Sequence, residues 1–254
     1  MNFLNEGGNI LLTLRGDLPT PPALSSLLAE FDIYLPYDRT STVLDHFNYD
    51  VSSSSERHDV LLLPQLGYSR PGVRSYFTSK GLLAMPRPVA QELGSRTPLL
   101  ESILRAQQTS YTYSQKEETE YSEDPFTVGE QISLVSAMQA RNSARFTVFG
   151  SYEALQDQWF NAQVKLPGGS AVNTDNRDFA RKVTEWTFQE TGVLQVGRVE
   201  HHFKPSASSL ATATTSLSQN VSNPPIYRIK NDVVRKSLTE SMQIVANSFR
   251  GFRN

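Results

Sequence analysis

The sequence predicts an α/β fold built on a mostly parallel sheet, and three observations carry that reading. Short apolar runs at 9–14 and 60–63 read as buried strands, and 132–138 and 146–149 as two further strands. Leu24, Leu27, Leu28 and Phe31 recur at i, i+3, i+4 and i+7, and Phe179, Val183 and Trp186 share another helical face. Strands alternating with helices imply helices layered on a parallel sheet. The 254 residues, 38% hydrophobic and 10% aromatic, suffice for one large domain, or one domain and part of another.

Taken in order, residues 1–8 read as the end of a helix stopped by Gly7-Gly8. Asn9 to Leu14 is the first strand. Thr20 is placed to cap a helix with Pro21 in its first turn, carrying the Leu24–Phe31 face. Val60 to Leu63 is a buried strand stopped by Pro64. Thr97-Pro98 begins a further helix, with Leu99, Leu100, Ile103 and Leu104 on its apolar side. Ile132 to Met138 and Phe146 to Phe149 are strands, the second ending at Gly150-Ser151. Thr174 or Asp175 caps the strongest helix, and Gly192 stands where a left-handed C-cap is wanted. Residues 116–124, KEETEYSED, form an acidic solvated loop. Residues 206–223 are rich in Ser, Thr and Ala without a period, the composition of a flexible linker. The expected organisation is an α/β domain over 1–205, that linker, and the first strands of a β domain over 224–254.

Composition excludes several chemistries. A net charge of -2 gives no field that favours nucleic acid. With no cysteine there is no disulfide, zinc thiolate or thiol nucleophile. No apolar run approaches the ~20 residues that span a bilayer, and the apolar stretch Ile10–Leu14 is too short for a secretory leader. A cytosolic protein and a fragment of a longer secretory one both fit this.

Candidate chemistry is thin. His46 beside Asp45 and Asp50 has the residue types of a general base or a metal ligand. In a strand, however, neighbouring side chains diverge, and no second histidine is spaced nearby, so a hydrogen-bonding role is favoured. His201-His202 diverge for the same reason. Ser151 follows an apolar strand as a nucleophile elbow would, but Phe149 and Glu153 occupy the two glycine positions of G-x-S-x-G. Its expected task is to cap 152–158. Gly7-Gly8 and Gly168-Gly169 read as turns. Arg141 and Arg145 flank Asn142 in what reads as a surface turn with Asn142 left-handed, the alternative being contact with a partner or a glycan phosphate. Asn220-Val221-Ser222 is a glycosylation sequon. No catalytic, cofactor-binding or metal-binding residue is assigned.

Several strings in a fixed order resemble one family. They are Phe3 to Leu14, Asp45-His46-Phe47-Asn48-Tyr49-Asp50, Thr109 to Tyr113, Met138-Gln139-Ala140-Arg141-Asn142, Phe149-Gly150-Ser151, Trp159-Phe160-Asn161, Thr191 to Gly197 and His201-His202. Together they are similar to the wheat-germ-agglutinin-binding-protein (DDOST) type subunit of eukaryotic oligosaccharyltransferase. The resemblance implies a glutamine-amidotransferase-like (GIFT, flavodoxin-like) lumenal domain, then a β domain and a C-terminal membrane helix. By that comparison the chain is truncated at both ends, lacking the first strands, most of the β domain and the membrane helix. An uncovered sheet edge at Asn9–Leu14 and poor solubility alone are then expected. The implied role is a non-catalytic assembly subunit in the endoplasmic reticulum membrane complex that moves a dolichol-linked glycan to sequon asparagines. Its partners would be the other subunits, including the membrane-embedded catalytic one, and it would hold no cofactor. The absence of a cysteine agrees with a non-catalytic amidotransferase-like domain. The rival readings are a carbohydrate- or peptide-binding module using Trp159, Tyr152 and Phe160 as a stacking face, and a stand-alone α/β hydrolase.

Overall fold

The computed structural model describes residues 2–38, 40–64, 76–78, 81–114, 124–193, 200–202 and 226–228. The chain divides into two units, Met1–Gly192 and Val193–Asn254. In the first, the elements run α1 (Asn2–Asn5), β1 (Ile10–Thr13), α2 (Pro22–Glu30), β2 (Ile33–Tyr34), β3 (Thr42–Leu44), β4 (Val60–Pro64), β5 (Leu82–Pro86) and β6 (Gln91–Leu93). There follow β7 (Leu100–Arg105), β8 (Tyr111–Tyr113), β9 (Ile132–Gln139), β10 (Arg145–Phe149), α3 (Asp157–Phe160), β11 (Gln163–Lys165), β12 (Ala171–Asn173) and α4 (Asn176–Thr187). In the second unit β13 (Glu200–His202) pairs antiparallel with β14 (Ile226–Arg228).

The α/β class holds, but the sheet is not mostly parallel. Its six strands follow the path β1-β10-β9-β6-β2, with β7 also on β9. Among the ladders of the described residues only β1 on β10 is parallel. The flavodoxin-like order is therefore corrected to a mixed, mostly antiparallel sheet. One cause is local. Strands β9 and β10 are joined by residues 140–144, where Ala140 N donates to Ala144 O at 2.8 Å and Ser143 takes φ 70°. A hairpin that short joins antiparallel strands only, because a parallel pair needs a long crossover.

The second cause is β7. The expected helix at 97–104 is this strand, laid antiparallel on β9. Its register shifts between Ser102 and Leu104 and again before Arg105. A bulge resets the period-2 alternation, so Leu100, Ile103 and Leu104 are all buried, a spacing that imitates a helical face.

Other elements stand as read, with shifted ends. β4 is buried from Val60 to Leu63. Leu61 and Leu63 enter the main core, whereas Leu62 packs with Ala84 and Val164 on the other side. β10 is buried at every position, but β1 ends the sheet path and its four residues are only half-buried. The first strand is thus an edge strand and not one covered on both faces. α2 begins after Pro21, one residue later than a Thr20 cap would put it, and no side chain caps it. Two cores flank the sheet: Leu28 of α2 packs with Phe146 and Val148, whereas Phe179, Val183 and Trp186 of α4 pack with Phe149, Leu83 and Phe77. Within α4, Asp175 precedes the helix without a side-chain cap; Gln189 (φ 64°) is left-handed directly after the helix, and Gly192 is left-handed too (φ 69°), three residues further on. Gly168 turns β11 into β12 at φ 73°, as its position implied. The linker at 206–223 and residues 116–123 of the acidic segment lie outside the described residues, and its last residue, Asp124, is exposed.

Candidate functional site

Several of the strings that set this sequence apart meet in space, at two places in the first unit. The first is formed by the chain after β3 and the start of β8. Asp45 is fully buried. Its carboxylate accepts from Phe47 N at 2.8 Å, Asn48 N at 2.9 Å, Thr109 Oγ1 at 2.7 Å and Ser110 Oγ at 2.8 Å. Burial pushes this carboxyl up, but the hydrogen bonds from Phe47, Thr109, Ser110 and Asn48 outweigh it and hold it below the usual aspartate range. Asp50, also buried, accepts from Ser53 N at 3.0 Å and Lys165 N at 2.7 Å. Both carboxylates thus staple turns. Neither faces solvent as a base.

A depressed pKa is a stability term. The Asp45 contribution is fully present above the unfolded-state pKa and is lost as pH falls through the lower folded value. Asp45→Ala would strand the buried Ser110 hydroxyl and release three part-buried donors, and should cost about 2–3 kcal/mol near neutrality. Urea midpoints for both chains should converge at acid pH, and a gap that widens on acidification would contradict the assignment.

His46 is not in a strand, since β3 stops at Leu44. It is exposed, as is Phe47 beside it. The second histidine that its sequence neighbourhood lacks is His58, brought in across the loop. Nδ1 of His46 and Nδ1 of His58 lie 2.5 Å apart, and His46 Nε2 is 2.8 Å from Tyr111 Oη. The Tyr49 ring stacks on His58 with centroids 3.9 Å apart. His58 and Tyr111 carry no signal in linear spacing that ties them to His46.

The second meeting place is where β1 and β10 begin and α4 ends. Arg145 is not on a surface turn: it is 2% exposed and ranks among the largest fully buried side chains. Its guanidinium donates to the carbonyls of Trp186, Thr191 (2.7 Å) and Gly192 (2.8 Å), and its Cζ lies 4.6 Å from the Trp186 ring centroid. Burial draws its pKa down from the usual arginine range. Asn9 Oδ1 accepts from Arg145 N (2.9 Å) and Gln189 Nε2 (3.0 Å), and Gln189 Nε2 also donates to Ser143 O at 2.9 Å. Asn142 donates to Leu4 O at 2.7 Å and Asn5 O at 3.1 Å, closing the end of α1. The left-handed residue of this turn is Ser143, not Asn142.

The remaining candidates are structural or separated. Ser151 Oγ is buried, donates to Pro86 O at 2.5 Å and accepts from Ala154 N at 3.3 Å within the 3-10 turn at Glu153–Leu155, whose N-cap position is Tyr152 and not Ser151. Trp159, half-buried, packs with Leu62 and Val164, and Tyr152 is exposed with Arg15 5.7 Å from its ring centroid. His201 and His202 lie on β13 opposite Tyr227 and Ile226. Asn220 lies outside the described residues. Among those residues no group of three His, Cys, Asp or Glu converges, and no helix is long and apolar enough to cross a membrane.

Comparison with known proteins places this geometry. A family model described as "OST48, N-terminal domain" matches residues 1–190. The chain is 34% identical over 204 residues to the dolichyl-diphosphooligosaccharide–protein glycosyltransferase 48 kDa subunit of Danio rerio, covering 79% of this chain and 44% of that protein. It is 29% identical over 234 residues to the glycosyltransferase subunit wbp1 of Schizosaccharomyces pombe, covering 92% and 48% respectively. The 48 kDa subunit of Drosophila melanogaster matches at 29% over 213 residues, covering 79% and 44%. The chain thus spans somewhat under half the length of these relatives. A solved structure described as "mmIFT52 N-terminal domain" superposes with TM-score 0.49 at 16% identity, over 76% of this chain and 70% of that one, below the level that establishes a shared fold. The match of the family model to residues 1–190, across both meeting places, shows that the chain belongs to the OST48 N-terminal domain family.

Proposed function

We propose that this chain serves as part of a non-catalytic assembly subunit of oligosaccharyltransferase, supporting transfer of a dolichol-linked oligosaccharide to sequon asparagines. The family match over residues 1–190 carries the reading, supported by three relatives named as subunits of that glycosyltransferase. The non-catalytic role is supported by the chemistry of the residues. The amidotransferase-like domain acts through a cysteine, and this chain has none. The serine at the strand end is buried and committed to Pro86 O. The proposed partners are the other subunits, including the membrane-embedded catalytic one, and the proposed location is the lumenal side of the endoplasmic reticulum membrane. Residues 206–223 are proposed as a linker from the α/β domain into a β domain, on their Ser/Thr/Ala composition.

The test is a chimera. Residues 1–192 replace the matching segment of the fission-yeast relative in cells depleted of it. Sequon occupancy of a secreted reporter and recovery of the complex on a tagged catalytic subunit are then measured. Both should be restored. A chimera that is stable and lumenal yet absent from the complex would overturn the reading.

A further inference from the structure

The pair formed by exposed His46 and half-buried His58 is the place where ligand nitrogens converge with nothing in the fold to explain them. His46 Nδ1 and His58 Nδ1 point at each other across 2.5 Å, with the rings at 79° and centroids 4.8 Å apart. The far nitrogen of each ring is anchored. His46 Nε2 meets Tyr111 Oη at 2.8 Å, and His58 Nε2 meets Ser55 O at 3.1 Å. The rings are therefore held from behind and aimed at one point. His58 is further fixed by the stacked Tyr49 ring at 3.9 Å and by a left-handed backbone, φ 54°.

The tautomers follow from the acceptors. Ser55 O only accepts, so His58 carries its proton on Nε2 and presents a lone pair at Nδ1. With no ion present, His46 must then donate from Nδ1 and accept from Tyr111 at Nε2. Tyr111 Oη, however, both donates and accepts. If it accepts, His46 carries its proton on Nε2, and both Nδ1 lone pairs face the same point. That is the arrangement a metal-ligating imidazole pair needs. Each ligand nitrogen is then free, and each outer N–H is held by an oxygen, which fixes ring orientation.

We propose that His46 and His58 bind one borderline divalent transition ion, Zn²⁺ or Cu²⁺, through their two Nδ1 atoms. Two imidazoles without hard oxygen ligands select this class over Mg²⁺ or Ca²⁺. Bonds of about 2.0–2.1 Å at a near-tetrahedral angle put the two nitrogens roughly 3.3 Å apart. The rings must open by less than an ångström from their present contact, which exposed His46, on the loop after β3, can do. No third imidazole or carboxylate joins them among the described residues, so water completes the coordination and the affinity is modest.

Titration of the full chain with Zn²⁺ alone by calorimetry, and with Cu²⁺ alone by electron paramagnetic resonance, tests this. One ion per chain is expected, with nitrogen hyperfine coupling from two imidazoles. His46→Gln and His58→Asn should each weaken binding at least tenfold and reduce the coupling to one nitrogen; Asn suits the left-handed position of His58. Tyr111→Phe, which removes only the outer acceptor, should weaken it several-fold. The chain has four histidines, so a His201→Gln/His202→Gln double variant is the control and should bind as the unsubstituted chain does. No binding at millimolar ion, wild-type affinity in both single variants, or loss of binding in the control would each overturn the proposal. If a variant fails to fold, Zn²⁺-induced shifts of the His46 and His58 ring protons in the unsubstituted chain decide. Shifts confined to His201 and His202 would overturn it.

Discussion

Replacing Arg145 by alanine should lower the stability of the first unit by about 4–5 kcal/mol, a size reserved for a short list of mechanisms. The guanidinium is 2% exposed and satisfies the carbonyls of Trp186, Thr191 and Gly192. Two effects oppose each other. Burying a cation costs several kcal/mol, and the described partners are carbonyls, not a carboxylate. Against this stand charge-assisted hydrogen bonds of about 1.5–3 kcal/mol each and the negative end of the α4 dipole, to which Trp186 O belongs. Truncation removes these together and takes the guanidinium donor from all three carbonyls, of which Trp186 O keeps, among the described residues, only Gln189 N at 3.2 Å, so the loss wins. Arg145→Lys should recover only part of the stability, because one ammonium cannot span three carbonyls set in a fork. Urea unfolding measures both variants. A shift under about 1 kcal/mol for Arg145→Ala would mean that water replaces the guanidinium without penalty.

Trp186→Ala should cost about 3–5 kcal/mol. The indole is 8% exposed and packs in the main core with Val183, Phe179 and Phe77, whose ring centroid is 5.4 Å away. It also forms the surface over which Arg145 lies. The two substitutions should therefore be non-additive, the double variant costing less than the sum by roughly 0.5–2 kcal/mol, because each removes part of the same contact. Fluorescence of Trp159, the second tryptophan, reports unfolding once Trp186 is gone. An unchanged midpoint would show that α4 turns another face to the sheet, and strict additivity would show that ring and guanidinium do not interact.

Short-range pattern carried much of this protein. The apolar runs at 60–63, 132–138 and 146–149 became strands, and the spacing of Phe179, Val183 and Trp186 became the buried face of α4. Periodicity works there because burial on one side of a regular element repeats with the element. It failed at 97–104, where a bulge in β7 let a strand bury successive residues with a helical rhythm. After α4 Gly192 turns left-handed as its residue type implies, but the first left-handed residue is Gln189, whose side chain donates to Asn9 and Ser143 and which no short-range signal marks.

Strand direction, and the partners of single polar side chains, were decided only in three dimensions. Whether a buried strand runs parallel or antiparallel to its neighbour depends on the connection and not on its own residues, and the five-residue turn at 140–144 made β9 and β10 a hairpin. Arg145 looks like a turn arginine in sequence and is a core residue in the fold, since its acceptors come from 41 to 47 positions away. The histidine that faces His46 is 12 residues on, and the tyrosine behind it 65. The sequence by itself determined the family, the α/β class and the apolar faces, because these rest on residue types and short spacings. The direction of the sheet, the buried cation and the histidine pair were set by tertiary structure, because each depends on groups that only chain closure brings within hydrogen-bonding distance.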